Sequence, residues 1–156
     1  MPGKVKVIIS DTQKAVRIPK GLRMLIRRSC IAVIHNHGVE EDTQVKVEFV
    51  DNDRLAELSS ELSVDGSSSY IIVPDSDEKN SIGTLYLSVE GAQELSQMHS
   101  NTLEQEVGAC VVHGVMLLMD DIPDGSAEES KLRDKEEYIM YQLGLPTSTA
   151  YVLNNS

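Results

Sequence analysis

The stretch from Thr102 to Asp121, TLEQEVGACVVHGVMLLMDD, constrains the fold more than any other. Leu103, Val107, Cys110, Val111, Gly114, Leu117 and Leu118 recur at helical spacing, so the segment predicts one helix with a face that must pack against something large. It opens with Thr102-Leu103-Glu104-Gln105, a capping box in which the Thr hydroxyl and the Gln side chain satisfy orphan N–H groups reciprocally. Within it, His113 is the one residue whose chemistry stands out. Two readings of it stay open: a ligand or reactive imidazole, or a buried histidine hydrogen-bonded inside the core.

The rest of the chain supplies what such a helix can pack on. Lys4 to Ser10 alternates Val5, Val7 and Ile9 with Lys6, Ile8 and Ser10, which predicts a strand at a sheet edge. After a turn, a short extended piece at Ala15 to Ile18 leads to Pro19, which suits the first turn of a helix running through GLRMLIRRSCIAVIHN and stopped by Gly38. Gln44 to Val50 alternates strictly, as a half-buried strand does, and Asp51 offers an N-cap for RLAELSSEL. A polar loop over 63–69 precedes strands at Tyr70 to Val73 and Thr84 to Ser88, and Ser88 caps a helix ending near His99. Past the central helix, Ser126-Ala127-Glu128-Glu129 is a second capping box that launches an acidic helix ending at Gly144, before an extended tail. The expected fold class is α+β: one mixed sheet of four strands flanked by about five helices.

Composition narrows the function classes. At 156 residues the chain suits one domain with a core large enough to need no disulfide, and Cys30 and Cys110 fall in apolar helical stretches as reduced core residues. Without an apolar run of about 18 residues or a signal-like N-terminus, the expectation is a cytoplasmic protein with no membrane partner. The net charge of −11 argues against gripping nucleic acid over the whole surface. It is uneven, however: residues 1–30 hold eight Lys/Arg against one acid, a net of +7 that leaves −18 for the remainder. Arg23, Arg27 and Arg28 on the first helix are accordingly candidates for a basic docking face, with a merely solvated basic helix as the alternative. His35 and His37 form an H-x-H pair, but residues two apart on a helix diverge, which disfavours a shared metal.

Several strings resemble the YbeY family, bacterial rRNA-maturation proteins that act as metal-dependent single-strand endoribonucleases. VEFVDNDRLAEL is similar to the family's VxFVDxxxIxELN, IGTLYLS to LGDIVIS, and LEQEVGACVVHGVM to LxxEVxxLxVHGxLH, while KLRDKEEYIMYQLGLP is like its closing helix. The resemblance spans nearly all of 1–156, as a single YbeY-like domain. It implies zinc as cofactor and rRNA or ribosomal particles as partners.

The family's metal motif, HGxLHLxGYDH, is largely replaced. Three histidines present imidazoles to one zinc in it. Here the first is His113; aligned without a gap the second falls at Leu117 and the third at Pro123, whereas with one residue skipped after Met116 the second is deleted, the third falls at Ile122 and Asp121 matches the aspartate of the GYDH turn. By the resemblance, His113 and Asp121 are thus the candidate metal ligands, and no residue is assigned as catalytic. In the family's RGxDxxTDVLSFP the arginine position is Leu62 and the TD pair is Ser68-Ser69; the aspartate of LGDIVIS is Thr84. Leucine offers no bidentate phosphate donor. The expectation is a YbeY-like rRNA maturation factor with impaired or absent cleavage, or else a non-catalytic ribosome-assembly or RNA/protein interaction module.

Overall fold

A computed structural model describes residues 3–64, 68–75, 80–119 and 126–145, the side chains of 126–128 excepted. The elements run β1 (Val5–Asp11), α1 (Leu22–Asn36), β2 (Thr43–Val50), α2 (Asn52–Leu62), β3 (Tyr70–Pro74), β4 (Ser81–Ser88), α3 (Val89–His99), α4 (Leu103–Leu118) and α5 (Ser126–Gln142). The four strands form one sheet in the order β1-β2-β4-β3, with β1, β2 and β4 parallel and β3 antiparallel at the far edge. The fold class is therefore the α+β arrangement expected.

Strand alternation sorts the two faces of this sheet. Val7, Val45, Val47, Phe49, Leu85 and Leu87 lie on one face, where they join the buried side chains of α1, α3, α4 and α5 in the larger core. The opposite face carries Val50, Ile71, Val73 and Tyr86, covered by Leu55 and Leu58 of α2 in a second, smaller cluster. Burying a Leu, Val or Phe contributes about 1.5–3 kcal/mol each, so the first face dominates the stability.

The local start and stop signals operate as the sequence predicts. Asp51 accepts from the Arg54 N–H at 2.7 Å and Ser88 from the Gly91 N–H at 3.0 Å, capping α2 and α3. At α4 the capping box is complete: the Gln105 N–H donates to Thr102 Oγ1 at 3.1 Å, and the Thr102 N–H donates to Gln105 Oε1 at 2.9 Å. Gly38, at φ +68°, ends α1.

Ala15 to Ile18 joins no strand, and the Gln13 side chain satisfies its backbone, accepting from the Val16 N–H at 3.0 Å and donating to the Val16 C=O at 2.8 Å. Pro19 precedes α1 rather than lying in its first turn: its carbonyl accepts from the Leu22 N–H at 3.2 Å, and Gly21, at φ +98°, sets the entry. As expected, α4 is a buried helix at the centre of the core. Glu106, Val107, Gly108, Cys110, Val111, Val112, Gly114, Val115, Met116 and Leu118 are all buried, because α1, α3, α5 and the sheet surround it. At Gly114 the helix rests directly on the strands. A Cβ there would lie 2.3 Å from Leu85 Cδ1 and 3.3 Å from Tyr70, so glycine sets the helix-to-sheet distance. The second capping box at Ser126 and the tail beyond Leu145 lie outside the described residues.

Candidate functional site

The side of α4 that does not meet the sheet opens into a cleft of about 460 Å³, closed by α3, α5 and the segment entering β3. His113 stands in it, with its side chain 38% exposed. Its Nδ1–H donates to Glu136 Oε1 of α5, since a carboxylate can only accept. Its ring meets Tyr70 edge-on, with centroids 6.2 Å apart at 68°. His113 is therefore hydrogen-bonded but not a buried core residue: helical rotation turns it from the sheet face occupied by Gly114 and Leu118 toward the gap between α4 and α5.

A second histidine–glutamate pair lies at the other end of the cleft. His99, at the C-terminus of α3, approaches Glu106 Oε2 at 3.3 Å, and the Glu106 side chain is only 3% exposed. A carboxylate this deep needs a charge-assisted or hydrogen-bonding partner, which the imidazole supplies. Between the two pairs, Cys110 Sγ and Ser69 Oγ are 3.2 Å apart. Burial pushes the Cys110 thiol up to about 12, against a smaller opposing effect of the Ser69 hydrogen bond, so it stays protonated and is no nucleophile at neutral pH. Burial likewise pushes Cys30 up to about 12, and both cysteines are free and buried, as the sequence suggested.

The positions aligned with the family's functional residues scatter. Ser69 lines the cleft. Leu62 is 41% exposed on α2, across the sheet, and Thr84 is half-buried with its neighbours on α2's face. Leu117, one turn beyond His113, is half-buried and contributes no ligand atom. Asp121, Ile122 and Pro123 lie outside the described residues. A catalytic zinc takes three protein N, O or S donors, and among the described residues no group of three or more His, Cys, Asp or Glu is gathered to hold a metal. The His113–Glu136 bond takes only one ring nitrogen, as in many metal-bound histidines, so it is the want of further gathered donors among the described residues that does not fit the zinc implied by the resemblance.

The arginines of α1 form a separate feature, and none of them lines the cleft. Arg27 Nη1 donates to the Val7 carbonyl at 3.0 Å, and Arg23 lies 3.8 Å from Asp11 Oδ2 with its guanidinium 5.5 Å from the Phe49 ring centroid. Both tie α1 to the sheet while remaining exposed. Arg28 is exposed and has no hydrogen bond or ion pair among the described residues. Sequence reading missed Glu136, Glu106, His99 and Tyr70 as parts of the site. Neither acid carried a distinguishing signal: Glu106 lies in the acidic first turn of α4 beside Glu104, and Glu136 is one acid among several on α5.

Comparison with known proteins agrees with this fold. The sequence pattern of the family described as Endoribonuclease YbeY matches residues 8–144. The Endoribonuclease YbeY of Alkaliphilus metalliredigens is 29% identical over 153 residues, covering 90% of this chain and 97% of that protein. That of Caldanaerobacter subterraneus is 28% identical over 157 residues, covering 90% and 99%. A solution structure of a Thermotoga maritima protein superposes with a TM-score of 0.57 at 21% identity, over 87% of this chain and 90% of that one, and supports the fold. No helix among the described residues is long and apolar enough to cross a membrane. With the match running through the strands, through α4 and to the end of α5, the chain belongs to the YbeY endoribonuclease family.

Proposed function

We propose that this protein is an rRNA maturation factor of the YbeY type, acting in the cytoplasm on rRNA or ribosomal particles as one domain over 1–156, with its metal-dependent single-strand cleavage impaired. The observation that supports impairment most is the setting of His113. The next helical turn offers Leu117 where the family motif, aligned without a gap, has histidine, and with a gap that position is deleted. A zinc-activated water needs a site with three protein ligands and one open position, and among the described residues no such group of donors is gathered. Asp121, the other candidate ligand, would have to supply what Leu117 does not. Metal analysis of the purified chain after zinc supplementation tests the reading: well under one zinc per chain is expected, together with no zinc-dependent cleavage of single-stranded rRNA. Stoichiometric zinc would restore the full enzymatic reading.

A non-catalytic ribosome-assembly or RNA interaction role is favoured by a different feature, the exposed Arg23, Arg27 and Arg28 in the basic first thirty residues of an otherwise acidic chain. Phosphate contacts of this kind lose affinity steeply with salt. Binding of rRNA or ribosomal particles that weakens with salt and disappears on changing the three arginines to Glu is the expected result, and absence of binding at low salt would remove this role.

A further inference from the structure

The cleft beside His113 has walls of Tyr70, Leu95, Ala109, Val112, Leu132 and Met140. Among the described residues its charged lining is unequal: Glu106, Glu129, Glu136 and Glu137, of which Glu106 and Glu136 bond to His99 and His113, against the guanidinium of Arg133. Such a lining repels a phosphodiester chain, because like charges repel more strongly in a partly desolvated concavity than in water. It favours instead a flat uncharged ring, with apolar walls against its faces and carboxylates toward N–H groups on its edge. The volume of about 460 Å³ falls in the range of small-molecule sites, roughly 300–1,000 Å³.

On the RNA-directed reading above, on which this inference rests, the part of the substrate with those properties is an unstacked base. We infer that the cleft is a nucleobase pocket selecting guanine, with Glu136 as the acceptor and the Tyr70 and His113 rings as the corner that receives the base. The four bases differ in what they offer a carboxylate. Guanine presents N1–H and N2–H side by side, a match for two carboxylate oxygens. The amino groups of adenine and cytosine each adjoin a ring-nitrogen lone pair, and the N3–H of uracil lies between two carbonyls, so each of these sets a lone pair against the carboxylate. An ionised carboxylate has about four acceptor sites, so the bond from His113 leaves Glu136 able to accept from a base. That bond also fixes the ring which, with Tyr70, shapes the corner.

Isothermal titration of the full chain with guanosine, inosine, adenosine, cytidine and uridine, in the presence of a chelator, tests the pocket. Guanosine binds; inosine, which lacks the 2-amino group, binds about tenfold more weakly, the loss of one hydrogen bond, and the other three bind no better than inosine. Glu136→Gln, which turns an N–H toward the base, lowers guanosine affinity tenfold or more, and Ala109→Trp, which fills the cleft, abolishes binding while circular dichroism shows the fold intact. Equal affinity for all five nucleosides, no guanosine binding, or guanosine binding unchanged in both variants overturns the pocket. Binding of rRNA by the same preparations separates this inference from the proposed function: rRNA bound without guanosine overturns the pocket alone, and guanosine bound without rRNA overturns the ribosomal role and leaves the pocket standing.

Discussion

The two sides of α4 are built on opposite terms. Toward the sheet, Gly114 removes even a methyl group so that the helix can lie on Leu85 and Tyr70, and the contact is apolar and close. Toward α3 and α5, the same helix turns Glu106, Cys110 and His113 into a cleft, each held by one polar partner. The first side tolerates little change in volume, because interiors are packed like crystals. The second is maintained by a few specific hydrogen bonds and has room to spare. The contrast separates two demands on one helix: the sheet side of α4 is constrained by close packing, and the cleft side by a few polar contacts.

The largest expected effect is on the packed side. Leu85→Ala empties the contact under Gly114 and costs about 2–5 kcal/mol, read by urea unfolding; a loss under 1 kcal/mol would mean that the two sides are less different than the geometry implies. Next is the alkaline limb of stability. Both thiols are raised from 9.0 to about 12 in the folded state, so folding keeps them neutral where the unfolded chain ionises. Their contribution is complete below pH 9 and is lost as pH rises from about 9 to 12. Unfolding free energy should therefore fall over that window, and less steeply in Cys110→Ala than in the parent; identical slopes would break the link to burial.

Gly114→Ala is expected to cost less, about 1–3 kcal/mol of overpacking against a gain of roughly 1 kcal/mol in helix propensity, because Leu85 Cδ1 is the mobile end of a side chain. A thermal melt of this variant tells whether Leu85 gives way. Smallest is Glu136→Ala on the cleft side. His113 is 38% exposed and Glu136 24%, so water screens the pair and the loss should stay below about 1 kcal/mol. Stability nearly unchanged, together with an altered His113 ring resonance by NMR, would sharpen the division between a close-packed side and a cleft side.

Much of this was legible in the chain because the signals were local. The caps at Asp51, Ser88 and Thr102 each need a side chain to reach a backbone N–H three residues on, and the alternation of Gln44 to Val50 fixes which side chains share a sheet face. Pro19 misled because Gly21, two residues later, sets the entry to α1 with a backbone conformation that no periodicity encodes. The apolar stripe of α4 announced the buried core helix that the structure shows.

The sequence by itself determined the elements, their caps, the sheet-forming alternation and the family, since each depends on residues near one another in the chain or on their order. It also singled out His113, which the structure places in the cleft. Only the tertiary structure decided what His113 touches. Glu136 reaches it from 23 residues away, across a helix packing that no periodicity encodes. The deep carboxylate of Glu106 and the acidic lining of the cleft likewise arise where α3, α4 and α5 converge. Local rules specify helices and strands one at a time, whereas a site is made of side chains that meet only after those elements have packed.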